Sequence, residues 1–211
     1  MPLLLDQACF TRVPLRYGTE RCCIELADSR YTRQIVALRN DPSVNQFIHN
    51  SPLTETEHEQ WLSSQLGRRD ALNFVSLVNN KFAGTASLYD IEPLARCQYG
   101  RVVMPDDGRR IFAIAIEFLC LSFAFEILQL TQVYCRVVRD NRSVYEFHLR
   151  NGWAPDPAYD SQSNLNGSEA VQLGMSMSLN QWESAVQDHR PLLQRLYHAN
   201  PSLAETADAD H

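Results

Sequence analysis

The sequence predicts an α/β (α+β) domain with a central, twisted, mixed but mostly antiparallel sheet of about seven strands, flanked by helices. Residues 73–105 carry consecutive strand-like runs, helix signatures precede and follow them, and residues 111–130 form a nearly unbroken apolar stretch suited to a buried helix. A chain of 211 residues, 45% hydrophobic and 21% charged, is long enough for one domain with a substantial core. The division expected is an N-terminal segment over 1–20, the domain over 21–190, and a helix end with a polar tail over 191–211.

Taken in order, "RCCIELADS" (21–29) alternates weakly and ends in turn formers, as a first strand does. "YTRQIVALRNDPSVNQFI" places Ile35 and Leu38 at helical spacing, with Pro42 ending or kinking that helix. In "TETEHEQWLSSQL", Thr54 followed by Glu57 is a capping-box pattern, and Trp61, Leu62 and Leu66 share a helical face. "NFVSLVNNKFAGTASLYDIE" reads as two strands joined at Asn79-Asn80-Lys81, because asparagine tolerates the left-handed backbone of a tight hairpin. "RCQYGRVVMP" is a further strand stopped by Pro105, and "TQVYCRVVRD" is another. "NRSVYEFHLRNGW" is a short helix ending at Asn151-Gly152. Strand character returns at Trp153 and in "EAVQLGMSMS", with loop chemistry between them, and "LNQWESAVQDHRPLLQRLYHA" closes the chain as a helix interrupted near Pro191.

Composition narrows the function classes. A net charge of -6, with 19 basic residues dispersed among 25 acids, argues against a nucleic-acid surface. The six cysteines lack C-x-x-C spacing and mostly sit in apolar runs, which fits a reducing cytoplasmic setting and gives no metal site. "MPLLLDQACF" is a poor signal peptide. The 111–130 run approaches the roughly 20 residues of a membrane span, but Glu117 and Glu126 interrupt it, and a mid-bilayer carboxylate costs on the order of 2.5 kcal/mol or more. It reads as a helix lying across a sheet, with no membrane partner.

"MPDDGRRIFAIAIEFLC" (104–120) sets Gly108, Arg109 and Arg110 where the unpaired amides of that helix begin. Two readings fit the stretch alone: an anion-holding turn, or a helix capped by Asp106 and Asp107 with arginines solvating its first turn.

The ordered set "ALRNDPSVNQFI", "TEHEQWL", "GTASLYDIE", "CQYGRVVM", "FAFEIL", "DNRSVYEFHLRNGW" and "GMSMSLNQWE" resembles the GCN5-related N-acetyltransferases (GNAT). The likeness runs from about residue 20 to 185 and is greatest to the bacterial branch acetylating nucleotide-linked amino sugars, alongside ribosomal-protein alanine acetyltransferases. It implies acetyl-CoA as cofactor. It also implies that Val102, Val103 and Met104 offer strand backbone to the pantetheine arm, and that Gly108, Arg109, Arg110, Ile111, Phe112 and Ala113 form the diphosphate turn. Of the family's turn pattern only Ala113 fits, with branched Ile111 where the middle glycine is expected. Asn141 and Ser143 take the family's place beside the cofactor.

In the family, a tyrosine seven positions after the asparagine protonates the departing thiolate; here His148 stands there, and an imidazole can also donate a proton. Asp90, Glu92 and Glu117 are carboxylates near the implied cleft, able to take the amine's proton, as a water chain ending in backbone groups would be, and Glu117 equally suits a buried pair with an arginine. Phe47, His49, Asn50, Tyr89, Asp90 and Tyr99 are implied on the acceptor side, while strand aromatics are also ordinary core residues. The expected reaction is acetyl transfer to a primary amine of a small molecule, with an amino-sugar nucleotide in surface-glycan biosynthesis as the favoured acceptor and a protein N-terminus or a non-catalytic binding role as alternatives. Monomer and homodimer are both compatible with the sequence.

Overall fold

The computed structural model describes residues 16–18, 22–44, 47–48, 52–105, 112–165 and 167–187. The strands are β1 (Arg16–Gly18), β2 (Cys22–Leu26), β3 (Ala71–Val78), β4 (Lys81–Glu92), β5 (Arg96–Val103), β6 (Gln132–Val138), β7 (Ala154–Pro155), β8 (Ser161–Leu165) and β9 (Ser168–Ser178). They form one sheet in the order β1-β2-β3-β4-β5-β6-β9-β7, with β8 also on β9. Every pairing is antiparallel except β5 with β6. Helices α1 (Thr32–Asn40) and α2 (Glu55–Gln65) connect β2 to β3, α3 (Ala113–Ser122) connects β5 to β6, and α4 (Arg142–Arg150) follows β6. A final helix is described from 179 to 187.

Local chemistry accounts for most boundaries. Thr54 and Glu57 form the reciprocal capping box at the start of α2, with the Thr54 N–H donating to Glu57 Oε2 at 2.8 Å. α1 ends at Asn40, two residues before Pro42, and the Asn40 side chain clamps Leu53 through bonds to its N–H and C=O at 2.9 and 2.8 Å. Asn79 and Asn80 take φ values of 49° and 59° in the hairpin that pairs Val78 with Lys81.

Two expectations need correction. The loop expected between Trp153 and β9 contains β8, a polar edge strand whose stability comes from backbone pairing to β9 and which lacks an apolar period to announce it. The run over 111–130 is not one α-helix. After Ser122 it loosens into a π-helical segment, Phe123–Ile127, in which the Leu128 N–H donates to the Phe123 carbonyl at 3.0 Å. Phe125 and Phe118 of this region pack on Trp182 at ring distances of 5.8 and 5.1 Å. Among the described residues no helix is long and apolar enough to cross a membrane.

The sheet has unlike faces. On one, α3 buries Ala115, Ile116, Leu119 and Cys120 against Ile24, Phe74, Leu88 and Val133. On the other, α1 and α2 cover a smaller cluster that includes Ile35, Leu62, Val75 and Leu77. Cys22, Cys23, Cys97, Cys120 and Cys135 are buried thiols outside any disulfide, as apolar cysteines are. Cys9 lies outside the described residues.

The feature that positions the site is a fork. β5 and β6 pair only from Arg96–Gln132 to Gln98–Tyr134; beyond it β5 stays with β4 and β6 stays with β9. Because the two strands are parallel, their separated ends point the same way, and α3 and α4 both begin after those ends.

Candidate active site

His148, on the last turn of α4, projects inward to Glu117 on α3. Nδ1 of His148 stands 2.6 Å from Oε2 of Glu117, with the side chains 8% and 3% exposed. The contact is short but not aligned as a linear hydrogen bond. The other carboxylate oxygen, Oε1, accepts from Asn151 Nδ2 at 3.1 Å, so Asn151, just past α4, anchors Glu117 from behind. Trp153 and Tyr99 box in the imidazole at ring distances of 5.1 and 6.2 Å. Tyr99 sits on β5 one residue beyond the last β5–β6 pair, which puts this cluster at the crotch of the fork.

Two bulges shape β4 and β5. Thr85 pairs with Val103 and Ser87 with Gly100, so Arg101 and Val102 together oppose Ala86, and Arg101 takes φ 53°. The second bulge sets Asp90 and Ile91 against Cys97, with Asp90 at φ 51°. The first leaves Val102 38% exposed in the open part of the fork. It also turns the Arg101 guanidinium onto the face covered by α1 and α2, over Tyr89 at 4.3 Å and Trp61 at 5.7 Å, where Nη1 donates to Asn73 Oδ1 at 3.0 Å. Burial pushes the Tyr89 phenol up to about 12, so its hydroxyl stays protonated.

The expected site residues therefore separate. Glu117 and His148 come together, and Tyr99 joins them from the core at 2% exposure, on the opposite side of the sheet from Tyr89. Asp90 lies apart on the rim, its carboxylate exposed and 3.9 Å from Arg68. Val103 and Met104 are buried at the end of β5, and the Phe112 side chain is in the core, leaving that residue's backbone as its contribution to any turn. Ala113 opens α3; Asn141 opens α4 and accepts from the Ser143 hydroxyl at 3.2 Å. Phe47 is half-buried in the α1–α2 connection. His49, Asn50, Gly108, Arg109, Arg110 and Ile111 lie outside the described residues, as do Asp106 and Asp107.

The arrangement suits a long anionic cofactor lying across a fork. Neither Phe112 at the head of α3 nor Asn141 at the head of α4 makes a side-chain capping bond, in contrast to Thr54 at α2. Helix N-termini without a side-chain cap suit phosphoryl oxygens. A family model for the acetyltransferase (GNAT) domain matches residues 21–154. The chain belongs to the GNAT acetyltransferase family. As a GNAT enzyme it is an N-acetyltransferase that uses acetyl-CoA.

Solved structures agree on the GNAT fold. FdhC, a nucleotide-linked sugar GNAT solved in its apo form, is 16% identical with a TM-score of 0.69, over 84% of this chain and 98% of that one. A GCN5-related N-acetyltransferase from Brucella melitensis is 18% identical with a TM-score of 0.72, over 84% and 85%. Spermidine N-acetyltransferase from Vibrio cholerae, in complex with CoA and spermine, is 16% identical with a TM-score of 0.69, over 78% and 99%. The chain matches no curated protein.

Asn151, Asn73, Trp61 and Arg101 were not among the residues the sequence suggested for the site. Asn151 carried a faint signal, three positions after His148 on the same helical face, but it read as a helix stop. Arg101 carried none, because its direction depends on a bulge.

Proposed function

We propose that this GNAT enzyme acetylates the primary amine of a small molecule, with a nucleotide-linked amino sugar as acceptor, and that His148 is the proton donor. The 2.6 Å approach of buried Glu117 to His148 Nδ1 carries the reading. Acetyl-CoA supplies the acetyl group as a thioester, whose carbon accepts the amine while the thiolate departs. Glu117 occupies the Nδ1 side of the imidazole and Asn151 holds Glu117, so Nε2 is the position from which a proton is delivered and to which one returns. Backbone amides near Val103, at the separated end of β5, are available to the carbonyl oxygen. The first turns of α3 and α4, with Asn141 and Ser143 beside the latter, would hold the cofactor's phosphates. A proton lost by the amine passes to solvent or to a rim carboxylate such as Asp90.

The acceptor reading draws on the side chains above the fork. Tyr89 and Trp61 bring aromatic rings that flank the Arg101 guanidinium, and Asn73 and Ser87 offer bonding groups; Ser87 Oγ already donates to Asn73 Oδ1 at 2.9 Å. Stacking and hydroxyl recognition of this kind suit a sugar or a base. The test is acetyl transfer from acetyl-CoA to a panel of nucleotide-linked amino sugars, spermidine and peptides with free N-termini. Preferred turnover of an amino-sugar nucleotide is expected. Preferred turnover of spermidine or a peptide would overturn the acceptor assignment.

A further inference from the structure

Arg39, at the C-terminal end of α1, is half-buried and has no carboxylate within ion-pairing distance among the described residues. Its guanidinium is held below the usual range first by burial and then by the charge of Arg101. A half-buried guanidinium that feels a second positive charge is stabilised by an arriving anion. The adjoining α2 side chains are also incompletely satisfied. His58 is 3% exposed, stacks on Trp61 at 5.7 Å, and its Nε2 has no hydrogen-bond partner. Burial, and then Arg39, hold its imidazole below the ordinary value, so it does not add a third full charge. Arg101 is fixed between Trp61 and Tyr89 by Asn73, leaving its charge without a carboxylate in those contacts.

We propose that Arg101, seated on Trp61 with His58 stacked on the same ring, and the neighbouring Arg39 form a recognition site for an oxyanion carried by the acceptor, a phosphoryl group being the chemistry they fit. Two planar guanidiniums present several N–H donors to tetrahedral phosphoryl oxygens, and a neutral histidine beneath can contribute a polar contact without further repulsion. The site is on the acceptor face of the sheet, away from the α3 and α4 first turns assigned to the cofactor's phosphates. The positive field also favours the neutral form of a nearby amine, which is the form that attacks. A polycationic amine would meet repulsion in the same place. This inference rests on the small-molecule acceptor reading above and deepens it.

The test is calorimetric binding of a nucleoside-diphosphate amino sugar to full-length protein saturated with CoA, which removes competition from the cofactor's own phosphates. Arg39→Gln and Arg101→Gln should each weaken binding at least about tenfold, Arg101→Lys less, and the exposed α1 variant Arg33→Gln not at all. In turnover, the same variants should raise KM for that acceptor while leaving KM for acetyl-CoA unchanged. Thermal melts confirm that each variant is folded. Absence of binding to the wild type, or equal binding by Arg101→Gln and the wild type, overturns the site. Arginine-dependent binding without acetyl transfer leaves the site standing and removes the acceptor assignment. Acetyl transfer indifferent to both arginines does the reverse.

Discussion

Glu117 stands between two residues: Oε2 lies 2.6 Å from His148 Nδ1, and Oε1 accepts from Asn151 at 3.1 Å. The carboxylate, from the middle of an otherwise apolar α3, thereby meets His148 on the last turn of α4 and Asn151 just past it, and ties that end of the helix to the core at the crotch of the fork.

If His148 delivers the proton, His148→Phe should lower kcat by about 10²–10⁴-fold while the dissociation constant for acetyl-CoA changes by less than about threefold. Glu117→Gln removes the charge behind the imidazole and should show a smaller loss in kcat with a displaced pH profile. Steady-state kinetics with a cofactor titration checks both. A fully active His148→Phe enzyme removes the histidine from the chemistry.

Asn151 acts through Glu117, so Asn151→Ala should destabilise the fold by about 1–3 kcal/mol by leaving a buried carboxylate oxygen unpartnered. It should also move the pH dependence of kcat. A variant with the wild-type pH profile and only a lowered melting temperature would reduce Asn151 to a purely structural role.

Gly84 adopts φ 148°, and an added Cβ would collide with the Val103 carbonyl oxygen. Gly84→Ala should therefore push the far end of β5 from β4, beside the backbone proposed above to meet the cofactor, costing about 1–3 kcal/mol and raising KM for acetyl-CoA. Denaturant unfolding and kinetics with varied acetyl-CoA test this; unchanged values in both would show that the strands give way freely.

The His58 imidazole is held below its ordinary value by burial and then by Arg39. A histidine whose folded value is depressed contributes stability that is complete above the unfolded value of about 6.5 and is lost as pH falls through the folded value. The melting temperature should fall between pH 7.5 and pH 5, and His58→Gln should flatten that fall. Parallel pH profiles for the two proteins would show that other groups dominate.

Much of the fold was legible because its signals are local. The Thr54 and Glu57 cap, the Asn79-Asn80 hairpin and the apolar saturation of α3 each fix an element from neighbouring residues alone. β8 was missed because its polar residues are held by pairing to β9, a partner that periodicity cannot see. The π-helical segment was missed because Phe123–Ile127 has the composition of an ordinary buried helix, and packing on Trp182 accompanies its looser turn.

At the site, sequence by itself determined that a histidine stands at the end of a short helix in an asparagine-to-glycine-aromatic frame, and that a glutamate interrupts a buried helix. Spacing along one element specifies which face a side chain takes, and no more. Tertiary structure alone decided that these two side chains meet, with Asn151 behind them, because α3 and α4 reach the same crotch only after β5 and β6 pair in parallel and part. The same holds for the direction of Arg101. A one-residue excess on β5 turns Arg101 toward α1 and α2, and a bulge is a relation between two strands rather than a property of either sequence.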